Sequence, residues 1–131
     1  MQIFRFVETS SGGSDFLPLD IPLPDSRRDD FGHVLALSRA FDGDCMVVQL
    51  PAGLDQDWHN APNRQFVIVL EGQVEVETSS GKIRQWSAGG MFMADDTGGR
   101  GHRTRVLAEA ATLLFVRVPD DFDLTAWTAE G

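Results

Sequence analysis

The chain has 131 residues, enough for one domain with one hydrophobic core, and its formal net charge of −9 at pH 7 argues against nucleic acid or an anionic membrane as a partner. Its single cysteine, Cys45, allows no internal disulfide, CxxC redox pair or thiolate metal cluster. The longest apolar run, residues 66–70, falls far short of the roughly 20 residues that cross a bilayer. The start Met1-Gln2-Ile3-Phe4-Arg5 also lacks the apolar stretch of a signal peptide, so a cytoplasmic protein is expected.

Residues 1–7 alternate weakly and predict a strand, either at a barrel edge or added to the sheet of a second copy in a homodimer. Residues 9–30 are rich in Ser, Gly, Pro and Asp and read as a loop. From Val34 onward, apolar, β-branched or alternating stretches follow at 34–37, 46–50, 65–70, 74–77, 83–86, 91–94, 102–107 and 112–118. They recur about every eight to twelve residues, the spacing of an antiparallel sandwich or barrel. The intervening turn signals include Asp42-Gly43, Pro51-Ala52-Gly53, Glu71-Gly72, Gly89-Gly90 and Gly98-Gly99. A short turn near residues 123–127, after an Asp cap, is the one helical expectation.

The chemistry-bearing residues lie on two of these stretches. The first reads Gly53-x5-His59-x-Ala61-x3-Gln65-x6-Gly72, and the second reads Asp96-Thr97-Gly98-Gly99-Arg100-Gly101-His102. Together they resemble the two motifs of the cupin superfamily. The first family motif, G-x5-H-x-H-x3,4-E-x6-G, matches in both glycines, in His59 and in every spacing, but its second His is Ala61 and its Glu is Gln65. The second motif is represented by Gly99-x2-His102, with Thr97 at its proline and Val106 at its last position. The resemblance implies a single all-β domain over 1–131, an antiparallel double-stranded β-helix or jelly-roll barrel. Its core would span about residues 34–118, preceded by an N-terminal strand and loop over 1–33.

Alternation gives the same arrangement without the family. Residues an even number apart on a strand share a face, so His59, Ala61, Gln65, Val67 and Val69 can line one interior. His102, Thr104 and Val106 share a face on the later strand, with Arg103 and Arg105 opposite. Two imidazoles and one amide oxygen could hold a divalent Fe, Mn, Ni or Zn ion through His59, Gln65 and His102. Ala61 removes a ligand and opens space, as open metal sites require, or it signals that no metal is held.

Asp96 is a turn former that could also serve as a general base beside His59 and His102, the other two catalytic candidates. Arg100, Arg103 and Arg105 could receive a small carboxylate or form an exposed basic strand edge. His33, Arg64 and Cys45 read as structural, surface and buried apolar residues respectively. Met91, Phe92, Met93 and Trp86 read as core or pocket wall. The leading expectation is a metal-dependent enzyme, an oxygenase, isomerase or lyase, acting on a small polar or carboxylate-bearing molecule. The alternatives are a non-catalytic binding or sensing barrel and a metal-free histidine acid–base catalyst.

Overall fold

The computed structural model describes residues 1–123 and contains eleven strands in that span. They are β1 (Gln2–Glu8), β2 (Ser14–Asp20), β3 (Asp25–Arg28), β4 (Val34–Leu37), β5 (Cys45–Leu50), β6 (Gln65–Glu71), β7 (Gln73–Thr78), β8 (Ile83–Ser87), β9 (Met91–Asp95), β10 (His102–Arg105) and β11 (Ala111–Arg117). A six-stranded sheet has the order β2-β1-β9-β6-β11-β5, a three-stranded sheet the order β10-β7-β8, and β3 and β4 form a hairpin of their own. No helix among the described residues is long and apolar enough to cross a membrane.

The central strand β6 explains how the two sheets are held. Its run Phe66-Val67-Ile68-Val69 is apolar and mostly β-branched, which suits a pleated strand covered on both faces. Val67 and Val69 face the inner core, where Phe6, Phe92 and Leu113 of the large sheet meet Val74 and Val76 of the small one. Phe66 and Ile68 face the opposite way, into a second cluster with Ile3, Leu19, Met93 and Val118. The inner core is the layer that carries the site.

Four expectations change. Residues 9–30 do not form one loop: Ser14–Asp20 is a strand paired along its length with β1, and Phe16 and Leu19 are buried. The strand is hidden by its Ser, Asp and Pro content, but β2 is a sheet edge, where Pro18 withholds no needed donor. Strand β1 is neither an edge nor free for a partner, because it lies between β2 and β9 and pairs with both. Strand β4, expected to open the barrel core, pairs with β3 alone among the described residues, and its side chains are exposed apart from half-buried Leu37. Cys45 is exposed at the start of edge strand β5 and not buried. The turn expected near residues 123–127 lies outside the described residues beyond Asp123.

Candidate functional site

A cavity of about 320 Å³ opens between the sheets. Its apolar wall includes Phe6, Val48, Leu50, Val67, Phe92 and Phe115, and its polar side chains are Gln56, His59, Asn60, Gln65, His102 and Thr104. His59, Gln65 and His102 therefore come together as their spacing predicts, with Ala61 beside them on the wall. Among the described residues, no Lys or Arg lines it.

The two histidines are placed by the backbone as well as by the pocket. His59 and His102 form an isolated antiparallel bridge, each N–H donating to the other's carbonyl at 3.0 and 2.9 Å, and their ring centroids are 4.5 Å apart. Gly101 makes that approach possible. Its φ is +84°, and a Cβ there would sit 2.1 Å from the carbonyl oxygen of His59, so neither the conformation nor the space admits a side chain. On its other side, buried Ser14 donates from Oγ to the Gly101 carbonyl at 2.6 Å. Strand β2 thus braces the turn that presents His102, a contact without any local sequence signal.

Each imidazole has Nδ1 committed. His59 donates from Nδ1 to the Asp57 carbonyl at 2.7 Å. His102 donates from Nδ1 to Asp96 Oδ2 at 2.6 Å, and both of those residues are buried. Asp96 Oδ1 accepts from the Ala61 N–H at 3.3 Å, and the Asp96 carbonyl accepts from the same N–H at 3.2 Å. Asp96 is thus more than a turn former: it fixes the His102 ring from below and leaves Nε2 as the uncommitted nitrogen in a histidine that lines the cavity. Phe6 packs against the same ring, with centroids 4.5 Å apart.

Arg103 and Arg105 face away from His102, as strand alternation predicts, and are paired with acidic side chains. Arg103 pairs with Asp55 at 3.0 Å, and Arg105 contacts Asp55, Glu75 and Glu77, away from the cavity. Donation to the Glu77 carboxylate, partly offset by desolvation and reinforced by donation to Glu75, holds the Arg105 guanidinium more firmly protonated than usual. Arg64 donates to the carbonyls of Pro119 and Phe122 and braces the chain after β11. His33 is exposed and hydrogen-bonded to Asp29 at 2.8 Å. Asp95, next to Asp96, faces the other side of β9, where burial raises it above the ordinary Asp value despite Arg5 and Arg64 nearby.

As a resident metal site the set is thin. Two imidazole nitrogens and a neutral amide oxygen are available, while Asp96 is taken by His102 and Ala61 stands where a third imidazole would be needed. No group of three or more His, Cys, Asp or Glu among the described residues is arranged to hold a metal ion. These donors do not fit a tightly held ion.

No family model matches the chain, and no curated protein matches it either. Among solved structures, the cupin domain of Schizosaccharomyces pombe Cnp3 aligns over 91% of this chain and 84% of its own, with 17% identity and a TM-score of 0.50. A cupin-2 domain protein of Shewanella frigidimarina covers 72% of this chain and 81% of its own at 16% identity, with a TM-score of 0.47. The lyase DddQ of Ruegeria pomeroyi covers 60% of this chain and 40% of its own at 24% identity, also with a TM-score of 0.47. With its two facing sheets and the paired histidines between them, the chain has the fold of a cupin domain.

Proposed function

We propose that the barrel binds a small, uncharged, largely apolar molecule bearing a carbonyl group and moves a proton on it, with His102 as the base and Asp96 as its positioning residue. The observation that carries this reading is the 2.6 Å contact between buried Asp96 and His102 Nδ1 in a cavity that no Lys or Arg of the described residues lines. A carboxylate substrate, expected from the sequence, would meet no cationic side chain on that wall. The cavity instead offers an apolar surface for the body of the molecule and a few polar groups to orient one end.

In the proposed reaction, His102 Nε2 takes a proton from the carbon next to the carbonyl, and electron density moves onto the carbonyl oxygen. Asp96, accepting from Nδ1, keeps the ring oriented and favours the imidazolium that forms. The developing oxygen charge calls for hydrogen-bond donors. Gln65 lines the cavity and can donate from its amide, which a glutamate at the same position could not do while ionised. Returning the proton to the same carbon racemises or exchanges it, and returning it to another carbon isomerises the molecule. His102, protonated in the first step, is the donor that returns the proton, and His59, with Nδ1 held by the Asp57 carbonyl, can accept it on Nε2 and relay it where the second carbon lies nearer that ring.

The test is proton exchange in D2O, followed by NMR, on a panel of small ketones, enones and esters after exhaustive chelation. At least one member is expected to gain deuterium beside its carbonyl, with His102→Ala slower by about 10²–10⁴-fold. Exchange that chelation abolishes and a divalent ion restores would make the metal-dependent reading the better one. Binding by thermal shift with no exchange in any member would favour a binding barrel.

A further inference from the structure

We propose that the cavity also holds the far end of its substrate: a neutral hydroxyl group, roughly 6–7 Å from the carbon at His102, sits between Gln56 and Thr104. This rests on the acid–base reading of the site and narrows its substrate class to elongated, uncharged hydroxy-carbonyl compounds. Of the cavity's polar side chains, the proposed reaction uses His59, Gln65 and His102, and Asn60 donates its amide to the Gly99 carbonyl at 3.0 Å. Gln56 and Thr104 have no part in either. Both are half-buried and line the cavity, and neither side chain has a hydrogen-bond partner among the described residues.

Strand geometry puts these two side chains together. The Gln56 N–H donates to the Thr104 carbonyl at 3.0 Å and the Val106 N–H donates to the Leu54 carbonyl at 2.9 Å, so the segment before His59 runs antiparallel beside β10. Gln56 lies opposite Thr104 in that register, and opposed residues of an antiparallel pair share a face. Asp55 and Arg105 form the neighbouring pair and point the other way, joined by an ion pair at 3.5 Å. Leu54 packs against the inner core that contains Val106, which fixes the segment from within. Thr104 follows His102 by two residues on β10, so its hydroxyl faces the same cavity one alternation further along the strand.

A hydroxyl suits this pair better than a charged group. The glutamine amide offers donors and an acceptor, and the threonine hydroxyl offers a donor and acceptors, so a group that both donates and accepts can bond to both at once. A carboxylate would set its charge against the amide oxygen and would meet no Lys or Arg among the described residues of the wall. Much of the remaining wall is apolar, with Leu50, Phe92 and Phe115 suited to a hydrocarbon spacer. About five single bonds span the distance, because an extended chain advances roughly 1.2 Å per bond.

The experiment is NMR titration of the full chain with three compounds that differ only at one end. They are 7-hydroxy-2-heptanone, 2-octanone with a methyl in place of the hydroxyl, and 7-oxooctanoate with a carboxylate there. The readout is the ratio of the Kd values of 2-octanone and 7-hydroxy-2-heptanone, which cancels what the two molecules share. Thr104→Val and Gln56→Met keep the shape of each side chain, and each should shift that ratio roughly five- to tenfold toward 2-octanone, the size of a lost neutral hydrogen bond. Thr104→Ser, which retains the hydroxyl, should hold the ratio within about twofold of the parent. The carboxylate should bind more weakly than the alcohol. A ratio that neither Thr104→Val nor Gln56→Met moves by more than about twofold, tighter binding of 7-oxooctanoate, or no binding of any of the three would overturn the subsite. Deuterium gain beside the carbonyl of the same compounds reports on the proton transfer separately. If the ratio shifts as expected while no exchange occurs, the subsite stands and the acid–base step falls.

Discussion

Asp96→Asn keeps the size of the buried side chain but removes one of its two acceptor oxygens. In the structure those oxygens serve two donors, His102 Nδ1 at 2.6 Å and the Ala61 N–H at 3.3 Å. The asparagine oxygen can serve only one of them, and its NH2 then faces the other donor. If the NH2 meets His102, the ring proton moves from Nδ1 to Nε2, the nitrogen on which the proposed proton transfer depends. If it meets Ala61, that N–H still has the backbone carbonyl of residue 96 at 3.2 Å. The folding cost is therefore that of about one compromised buried donor, roughly 1–3 kcal/mol. In the first orientation the catalytic cost is larger, on the order of 10³–10⁴-fold in exchange rate, as expected for a base held in the wrong tautomer; in the second the tautomer is kept and only the carboxylate charge beside the ring is lost. Asp96→Ala abandons both acceptors and should cost about 2–5 kcal/mol in urea denaturation. The assay pairs urea unfolding with deuterium exchange of a responsive compound. An Asp96→Asn chain that folds, carries the His102 proton on Nε2 by nitrogen-15 NMR and still exchanges within about threefold of the parent rate would refute the role given to the Asp96–His102 pair, given the cost expected of a wrong tautomer.

Gly101→Ala places a Cβ 2.1 Å from the His59 carbonyl at a φ of +84°. It should cost more than the roughly 1–3 kcal/mol of the backbone strain alone, and loss of the His59–His102 bridge should appear as amide exchange at both residues. Leu19→Ala should cost about 2–5 kcal/mol, because the side chain is fully buried in β2. A cost below about 1 kcal/mol would mean that residues 14–20 do not pack as a strand. Burial raises Asp95, so the folded chain holds this proton more tightly than the unfolded chain. The stability it contributes is present below the unfolded value and is lost as pH rises through the folded one. Carboxyl NMR should place its midpoint above 3.8, and Asp95→Asn should flatten that part of the stability profile.

The site is more legible in the sequence than the periphery. The even spacing of Gln65 and Val67 on β6, and of His102 and Thr104 on β10, is a property of strand geometry, so their shared face can be read directly; His59 and Ala61 precede β6, and His59 is held at the cavity by its bridge to His102 and not by strand alternation. The run at Phe66–Val69 identifies a central strand because a strand covered on both faces tolerates no polar residue. Strand β2 is hidden because an edge strand can carry Pro18 and be polar at alternate positions, which is also how a loop reads. The Asp96–His102 contact is hidden for another reason. It crosses a turn through Gly98, Gly99 and Gly101, whose path depends on backbone conformations that alternation does not specify. The exposure of Cys45 and Val34 depends on which strands end a sheet. That is a property of topology, not of the local sequence.

Nitrogen-15 NMR of the histidine side chains reads the Asp96–His102 pairing at the atom where the proposed chemistry begins. In the neutral protein His102 should show its proton on Nδ1, coupled to the Asp96 carboxylate, with Nε2 as an unprotonated nitrogen that shifts when a carbonyl ligand enters the cavity. A proton resident on Nε2 of His102, or an Nε2 signal unchanged by a ligand that binds in the cavity, would rule out His102 as the base.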